Sequence, residues 1–333
     1  MNRVETCIPL QTAFEVSYKF ALDLENTRYV SIDKEKLDET ALNLKTFLKD
    51  RGPNKLWGLP KIPQIEDVST VHEAFKQDRY KWMTDDFLKT YYLVAYELMA
   101  DSINYCYWYG ADNIRPNGAN SRKMYKLLDE SFAEALDQPD GFLNLQKIIY
   151  LFGSKLSSNR FPLQQERLTH LDQLRKRFLG QTFSIELAKE LTNKDVTPDL
   201  RSWLNKLLEW FPGFAEDIFI KRASLFFMML NRRMGYFNDD IGYLPIPADY
   251  QIPKIMRALG VLRYNDELAD KIERSELIPE GSLIECQIRA HTITAAENIA
   301  RIAECTSTDV DDYLWLERDK FKDKFHLTRT TNY

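Results

Sequence analysis

Residues 84–102 read TDDFLKTYYLVAYELMADS, a stretch with the periodicity of one long helix. Its apolar side chains recur at every third or fourth position, the spacing that places them on one helical face. The residues of this face are Phe87, Tyr91, Val94, Leu98 and Met99. Thr84 is a residue type that caps helix N-termini, and Asp85 and Asp86 add acidic charge to the first turn. We therefore predict a helix from Asp85 to about Ser102.

Helical periodicity continues on both sides of this stretch, while alternating strand patterns with hairpin turns are scarce. Further helices are predicted at Asp33–Lys49, Ser121–Leu136, Leu143–Phe152, Gln164–Phe178, Asp199–Glu209 and Glu216–Leu230. Upstream of the long helix, Pro60 and Pro63 predict an extended connector over Leu56–Asp67. This order of elements favours an all-α fold in which helices pack on helices.

The C-terminal third predicts short helices followed by another long one. Pro253 suits the first turn of a helix that Gly260 would end, and Asn265 is placed to cap the next. Residues 282–285 read SLIE, the sequence of a capping box, and open a helix with an apolar face. That face consists of Ile288, Ala295, Ala296, Ile299, Ile302 and Ala303. Because no repeat or flexible linker interrupts the chain, residues 1–333 are expected to form one compact helical unit of one or two lobes.

The charge limits the kinds of partner. The chain has 333 residues and a formal net charge of -5. Proteins that grip duplex DNA need a basic surface that displaces counterions, so a nucleic-acid duplex is not an expected partner. A small phosphorylated molecule needs only a few cationic groups and is compatible with this charge. Aromatic residues make up 13% of the chain, which suits stacking on a flat ligand as well as packing in a large helical core.

The cysteines and histidines are too scattered to predict a metal site. Cys7, Cys106, Cys286 and Cys305 form no CxxC pair, and the histidines are equally dispersed, so we expect no metal and no cofactor. Charged residues interrupt the N-terminal region, so no secretory signal is predicted, and no apolar run reaches membrane length. The expected setting is the cytoplasm, without membrane association.

Two charged residues are candidates for chemistry. Lys221 interrupts a nearly all-apolar helical pattern, so its ammonium either reaches the surface along its alkyl stem or points into a pocket. Asp249 lies between Pro247 and Pro253, just before a predicted helix. There it either satisfies backbone donors of the turn or presents a rigidly held carboxylate to a substrate. A carboxylate near a ribose stabilises the oxocarbenium-like transition state of N-glycosidic cleavage.

Aromatic and cationic residues supply candidates for substrate binding. Residues 104–109 read NYCYWY, a cluster in which Tyr107 and Trp108 either stack on a base or pack in the core. Asn104 carries an amide able to read a base edge.

Three cations are candidate donors to a phosphate, namely Lys221, Arg222 and Arg289. Arg289 also has a purely structural explanation, since it lies four residues after Glu285 and the two can form an ion pair along one helix.

Several of these motifs together resemble the queuosine salvage protein family, in the same order along the chain. They are residues 103–108 (INYCYW), 211–214 (FPGF), 221–223 (KRA), 248–253 (ADYQIP), 259–264 (LGVLRY), 284–289 (IECQIR) and 313–315 (YLW). The similarity spans Asp85 to the C-terminus. It divides the chain into an N-terminal helical and connector part, 1–84, and a motif-bearing catalytic part, 85–333.

The resemblance implies an enzyme that hydrolyses queuosine 5'-monophosphate to queuine and ribose 5-phosphate. It also implies a fold similar to the helix-hairpin-helix DNA glycosylases, a catalytic carboxylate at Asp249 and a required lysine at Lys221. The residues that it implies around the base are Asn104, Tyr107, Trp108 and Tyr250.

Two other functions are compatible with the residues alone. One is a helix-hairpin-helix base-excision glycosylase acting on duplex DNA, which the acidic charge balance disfavours. The other is a non-catalytic helical scaffold, in which the polar residues only cap helices and form ion pairs.

Overall fold

The computed structural model describes residues 8–22, 29–51, 83–109, 119–136, 145–178 and 182–333. Within these ranges the backbone is predominantly helical, as the periodicity predicts. The connector predicted over residues 56–67 lies outside the described residues. In the described part of the chain, no helix has both the length and the apolar character needed to cross a bilayer.

Among the described residues, the helices are accompanied by a small two-stranded sheet. In chain order they are α1 (Ile8–Leu22), α2 (Lys34–Arg51), α3 (Asp85–Ser102), α4 (Ser121–Leu136), α5 (Leu145–Ser157), α6 (Gln164–Phe178), α7 (Thr182–Thr192), α8 (Leu200–Trp210), α9 (Pro212–Ala215), α10 (Lys221–Met234), α11 (Gln251–Ala258), α12 (Asp266–Glu273), α13 (Leu283–Ala303) and α14 (Ser307–Glu317). Strands β1 (Val30–Ile32) and β2 (Leu262–Tyr264) pair antiparallel, with Val30 opposite Tyr264. No alternation of apolar and polar residues in the sequence predicted this sheet. It joins the N-terminal part to the segment after α11.

Helix α3 has the bounds that the sequence predicts, and Thr84 is its cap, because its Oγ1 accepts the Phe87 N–H at 3.2 Å. Every residue from Thr90 to Ser102 is buried, so α3 crosses the interior instead of lying on the surface. It packs against α7 and α10. The aromatic segment 104–109, which follows the C-terminal end of α3, therefore begins in the interior of the protein.

A second largely buried helix, α13, packs against α1, α2 and α14. The Ser282 hydroxyl accepts the Glu285 N–H at 3.3 Å, whereas the Glu285 carboxylate accepts the Gly281 N–H at 3.2 Å. In a capping box the Glu285 carboxylate would accept the N–H of Ser282, but here it accepts the N–H of the residue before Ser282. The predicted capping box is therefore wrong in its second hydrogen bond. A complete box opens α14 instead, where Thr306 and Asp309 exchange side-chain to backbone hydrogen bonds.

The prediction of one helix over Glu216–Leu230 is wrong at its start. Helix α10 begins at Lys221, because Ile220 before it adopts a left-handed conformation with φ 47°. A β-branched residue rarely takes a positive φ, so the apolar pattern gave no sign of the break. The Asp217 carboxylate stabilises the turn by accepting the N–H groups of Phe219 at 3.1 Å and Lys221 at 2.9 Å. Lys221 is therefore the first residue of a helix and not part of its interior.

Two predicted helix boundaries after residue 253 are confirmed. Gly260 follows α11 with φ 80°, a conformation that glycine adopts without strain. Asn265 caps α12 by accepting the Leu268 N–H at 2.9 Å. These boundaries make α11 a short helix, and its N-terminus, where Asp249 lies, borders the cavity described below.

Candidate active site

Lys221 is the first residue of α10 and only 4% exposed. Its Nζ donates a hydrogen bond to the Asn104 carbonyl, 2.9 Å away. A helix N-terminus carries partial positive charge, and Arg222 adds a full charge beside it, so the ammonium occupies an unfavourable position. Burial lowers the pKa of Lys221, while Asp249 and Asp101 oppose this shift. A buried cation that depends on nearby carboxylates in this way is typical of a functional site.

Asp249 lies just before α11 and binds the free N–H groups of that helix. Its Oδ1 accepts from Gln251 at 2.6 Å and from Ile252 at 3.1 Å. Burial raises the pKa of Asp249, and Lys221 together with the two N–H groups opposes the rise. The turn role expected for an isolated aspartate is thus confirmed for Oδ1. Both bonds use this one oxygen, so among the described residues Oδ2 is left for a ligand.

A buried ion pair ties the two segments together. Arg289 on α13 donates to both carboxylate oxygens of Asp217, at 2.8 and 2.6 Å. The Nε of the same guanidinium donates to the Ala248 carbonyl at 2.9 Å. Asp217 organises the turn before Lys221, and Ala248 directly precedes Asp249. One side chain therefore fixes the backbone on both sides of the site.

The surroundings of Arg289 keep this ion pair charged. The predicted pair with Glu285 is confirmed at 3.3 Å, and the guanidinium lies 4.6 Å from the Phe219 ring centroid and 4.3 Å from that of Tyr333. Burial opposes the ionisation of Asp217, but Arg289 and the backbone donors lower the pKa of Asp217 below its usual value. The pair is a structural clamp in which all three guanidinium nitrogens and both oxygens of Asp217 are hydrogen-bonded.

Lys221 and Asp249 both line a cavity of about 1020 Å³, at the upper end of the range for small-molecule sites. Its walls come from α3, α4, α10, α11, α14 and the segments next to them. Aromatic rings in the wall include Tyr96, Tyr107, Tyr125, Tyr250 and Trp315. Within the described ranges, no group of at least 3 His, Cys, Asp or Glu side chains is arranged to hold a metal ion. Flat rings, carboxylates and cations in one space suit a nucleotide.

Three of the predicted base contacts line this cavity, and one does not. Asn104, Tyr107 and Tyr250 are in the wall. Asn104 donates one N–H of Nδ2 to Asp101 at 3.2 Å, so its amide oxygen and its second N–H are left to face a ligand. Trp108 is 3% exposed and lies outside the described lining residues, which gives it a packing position.

Arg222 and Arg289, predicted as substrate contacts, lie behind the cavity wall. Arg222 is 2% exposed and donates to the carbonyls of Ser102 and Gly213. Arg289 is occupied by Asp217 and Ala248, as described above. The two terminal nitrogens of Arg222 are bound by backbone carbonyls, and Arg289 is bound by carboxylate and carbonyl oxygens. Both arginines therefore have structural positions, and neither is among the cavity-lining side chains.

Three cations that were not predicted from the sequence line the cavity. Lys254 lies on α11, Arg318 directly follows α14, and Arg122 lies on α4. Burial lowers the pKa of Lys254 and Arg318 adds to the shift, while Asp323, Asp249 and Asp319 oppose it. Burial also lowers the pKa of Arg318, with Asp319 opposing and Arg122 contributing. Because these three residues lie on separate elements, the sequence does not show that they are neighbours. Only the position of Lys254, shortly after Asp249, indicated a cation near the site.

A second carboxylate was also missed. Asp311 on α14 lines the same cavity, together with Trp315 one turn later. Asp249 and Lys221 both act electrostatically on it. The four-residue spacing between Asp311 and Trp315 was the available signal, because such residues share a helical face.

The fold and the site define the class of protein: a helical protein whose ligand cavity is built around a lysine and an aspartate at two helix N-termini. A family model described as queuosine salvage protein matches residues 87–333. The chain belongs to this family.

Curated relatives bear the name queuosine 5'-phosphate N-glycosylase/hydrolase. The relative from Sphaerobacter thermophilus is 29% identical over 272 residues, covering 72% of this chain and 81% of the relative. That from Dictyostelium discoideum is 28% identical, covering 92% of this chain and 95% of the relative. That from Bos taurus is 23% identical, with 93% and 96% covered.

Proposed function

We propose that this protein hydrolyses the N-glycosidic bond of queuosine 5'-monophosphate, releasing queuine and ribose 5-phosphate so that queuine is salvaged for tRNA modification. The observation that carries the proposal is the position of Asp249 and Lys221 in one cavity of about 1020 Å³ in a queuosine salvage protein. The names of the relatives support the same reaction. The partner is a small nucleotide, bound without a cofactor, a nucleic-acid duplex or a membrane.

We also propose that the helices form a helix-hairpin-helix DNA-glycosylase-like fold and that residues 1–333 are a single domain in the cytoplasm. The pairing of β1 with β2 and the packing of α1 and α2 on α13 support the single domain. Through these contacts the N-terminal part shares a core with the motif-bearing part.

In the proposed mechanism, Asp249 acts on the sugar. Positive charge grows on the ribose as the bond to the base breaks, and the free Oδ2 of Asp249 stabilises it. The base is a 7-deazaguanine with carbon in place of N7, so a proton cannot be added there to assist departure. The reaction therefore depends more on stabilisation of the sugar. Asp249 also accepts the proton of the water that attacks C1′.

Lys221 keeps Asp249 in its ionised form, because a nearby positive charge favours a carboxylate over a carboxylic acid. One of its three N–H bonds is used by the Asn104 carbonyl. The remaining donors are available to a ribose or phosphate oxygen. The base stacks against Tyr107 and Tyr250, and the Asn104 amide oxygen accepts from its edge.

Lys254, Arg318 and Arg122 bind the 5'-phosphate in this proposal, since a dianion relieves the mutual repulsion of three clustered cations. Arg318→Gln and Lys254→Gln are each expected to raise KM for the nucleotide about 10- to 100-fold, the equivalent of one lost charge-assisted hydrogen bond. The measurement is the KM of each variant for queuosine 5'-monophosphate and for the nucleoside queuosine.

The KM for the nucleoside should change little in either variant, because the nucleoside has no phosphate for Lys254 and Arg318 to bind. Arg301→Gln, an exposed arginine outside the cavity lining, is the matched control. Equal increases in the KM for nucleotide and nucleoside would show that Lys254 and Arg318 act on the fold and not on a phosphate.

The reaction itself is tested by incubating the purified protein with queuosine 5'-monophosphate and separating the products by chromatography. Free queuine and ribose 5-phosphate in equal amounts are expected. Unchanged nucleotide after prolonged incubation with folded protein would contradict the proposed function.

A further inference from the structure

We propose that Asp311 is the catalytic proton donor to the departing base, in the same cavity as Asp249. This inference rests on the proposed function. Three observations carry it: the placement of Asp311 in the cavity wall, its lack of a hydrogen-bond donor in the described structure, and the charges around it.

The start of α14 fixes where Asp311 points. The Thr306 and Asp309 capping box anchors the first turn, and the Ser307 hydroxyl donates to the Leu244 carbonyl in the segment leading to Asp249. Asp311 follows one turn later and lines the cavity. These two contacts fix the backbone at the start of the helix that carries Asp311.

Asp311 and its neighbour Asp312 have different environments. Asp312 forms an ion pair with Arg232. Among the described residues no group donates a hydrogen bond to the Asp311 carboxyl, although it borders the same cavity. Asp249, in contrast, accepts two backbone N–H groups. The carboxylate that lacks donors is the one that retains a proton most readily.

The charges around Asp311 come from three helices. Asp312 lies on α14 itself, Asp249 precedes α11, and Lys221 and Arg232 lie on α10. Burial, Asp312 and Asp249 raise the pKa of Asp311 well above its usual value, and the two cations only partly oppose this. Two carboxyl groups that repel each other in one site divide into an anion and an acid. Asp249 is the anion, because Lys221 and the N–H groups favour its charge.

The proton transfer completes the reaction without any further reactant. The bond between C1′ and the base nitrogen breaks, and its electron pair stays on that nitrogen, which takes the proton of Asp311. Water adds to C1′ and gives a proton to Asp249. The products are queuine and ribose 5-phosphate. Asp249 then releases its proton to solvent and Asp311 recovers one. Such assistance matters because a 7-deaza base leaves poorly as an anion.

The test compares two leaving groups in wild-type protein and in Asp311→Asn. With queuosine 5'-monophosphate, D311N should lower kcat about 100- to 10,000-fold, the usual contribution of a general acid. With p-nitrophenyl β-ribofuranoside 5-phosphate the loss should be small, because p-nitrophenolate leaves without a proton. Asp270→Asn, an exposed carboxylate outside the cavity lining, is the matched control and should leave both rates unchanged.

Similar losses on both substrates would overturn the proposal, as would normal turnover of queuosine 5'-monophosphate by D311N. If the wild type does not accept the p-nitrophenyl compound, Asp311→Glu decides: partial recovery of kcat over D311N supports an acid, and equal losses contradict it. A wild-type protein that releases no queuine would refute the proposed function itself. An active wild type together with an equally active D311N variant would refute only the role of Asp311.

Discussion

Asp249→Asn is expected to lower kcat for queuosine 5'-monophosphate about 100- to 1000-fold, the loss typical of removing one preorganised electrostatic group. The asparagine side chain has the same shape, and its amide oxygen can accept the N–H groups of Gln251 and Ile252 as Oδ1 does now. The start of α11 should therefore persist. What disappears is the negative charge that meets the ribose cation.

The measurement is steady-state turnover of the D249N variant together with its affinity for the intact nucleotide. Affinity should remain close to that of the wild type, because the ground-state ribose carries no charge. Asp270→Asn serves again as a carboxylate control away from the cavity. Near-normal turnover by D249N would remove Asp249 from the chemistry.

Arg289→Met is expected to lower the free energy of unfolding by about 3–5 kcal/mol, because it leaves a buried carboxylate without its partner. Asp217 and Arg289 are each 2% exposed, so solvent cannot replace the lost partner. The Ala248 carbonyl loses a donor as well. Activity should fall in the folded fraction too, since the same guanidinium positions the turn before Lys221 and the residue before Asp249.

Urea unfolding of wild type and variant measures the stability change. Glu39→Gln, which removes the exposed pair with Lys36, is the control and should change unfolding little. If Arg289→Met lowered the free energy of unfolding as little as Glu39→Gln does, the pair of Arg289 with Asp217 would not be needed for stability.

The sequence predicted those features that short-range contacts determine. Helix α3 followed from its apolar spacing and its cap at Thr84, and the pair of Glu285 with Arg289 followed from a separation of one helical turn. Both can be inferred without knowing the tertiary structure. The resemblance to the family, in turn, indicated Lys221 and Asp249.

Long-range contacts could not be predicted in the same way. The left-handed Ile220 depends on Asp217, and Asp217 depends on Arg289, which lies far along the chain. The helix start at Lys221 therefore had no local signal. The same reason explains why Arg222 and Arg289 were expected at a phosphate, since charge is visible in the sequence and burial is not.

In the proposed reaction, the ribose lies between Asp249 and Lys221 in the described cavity. A crystal structure of the D249N variant with intact queuosine 5'-monophosphate would show this arrangement. We expect the ribose C1′ beside the side chain at position 249, with the phosphate near Lys254 and Arg318. A nucleotide bound outside the cavity, or inside it with C1′ remote from position 249 and from Lys221, would show that these two residues do not act on the ribose.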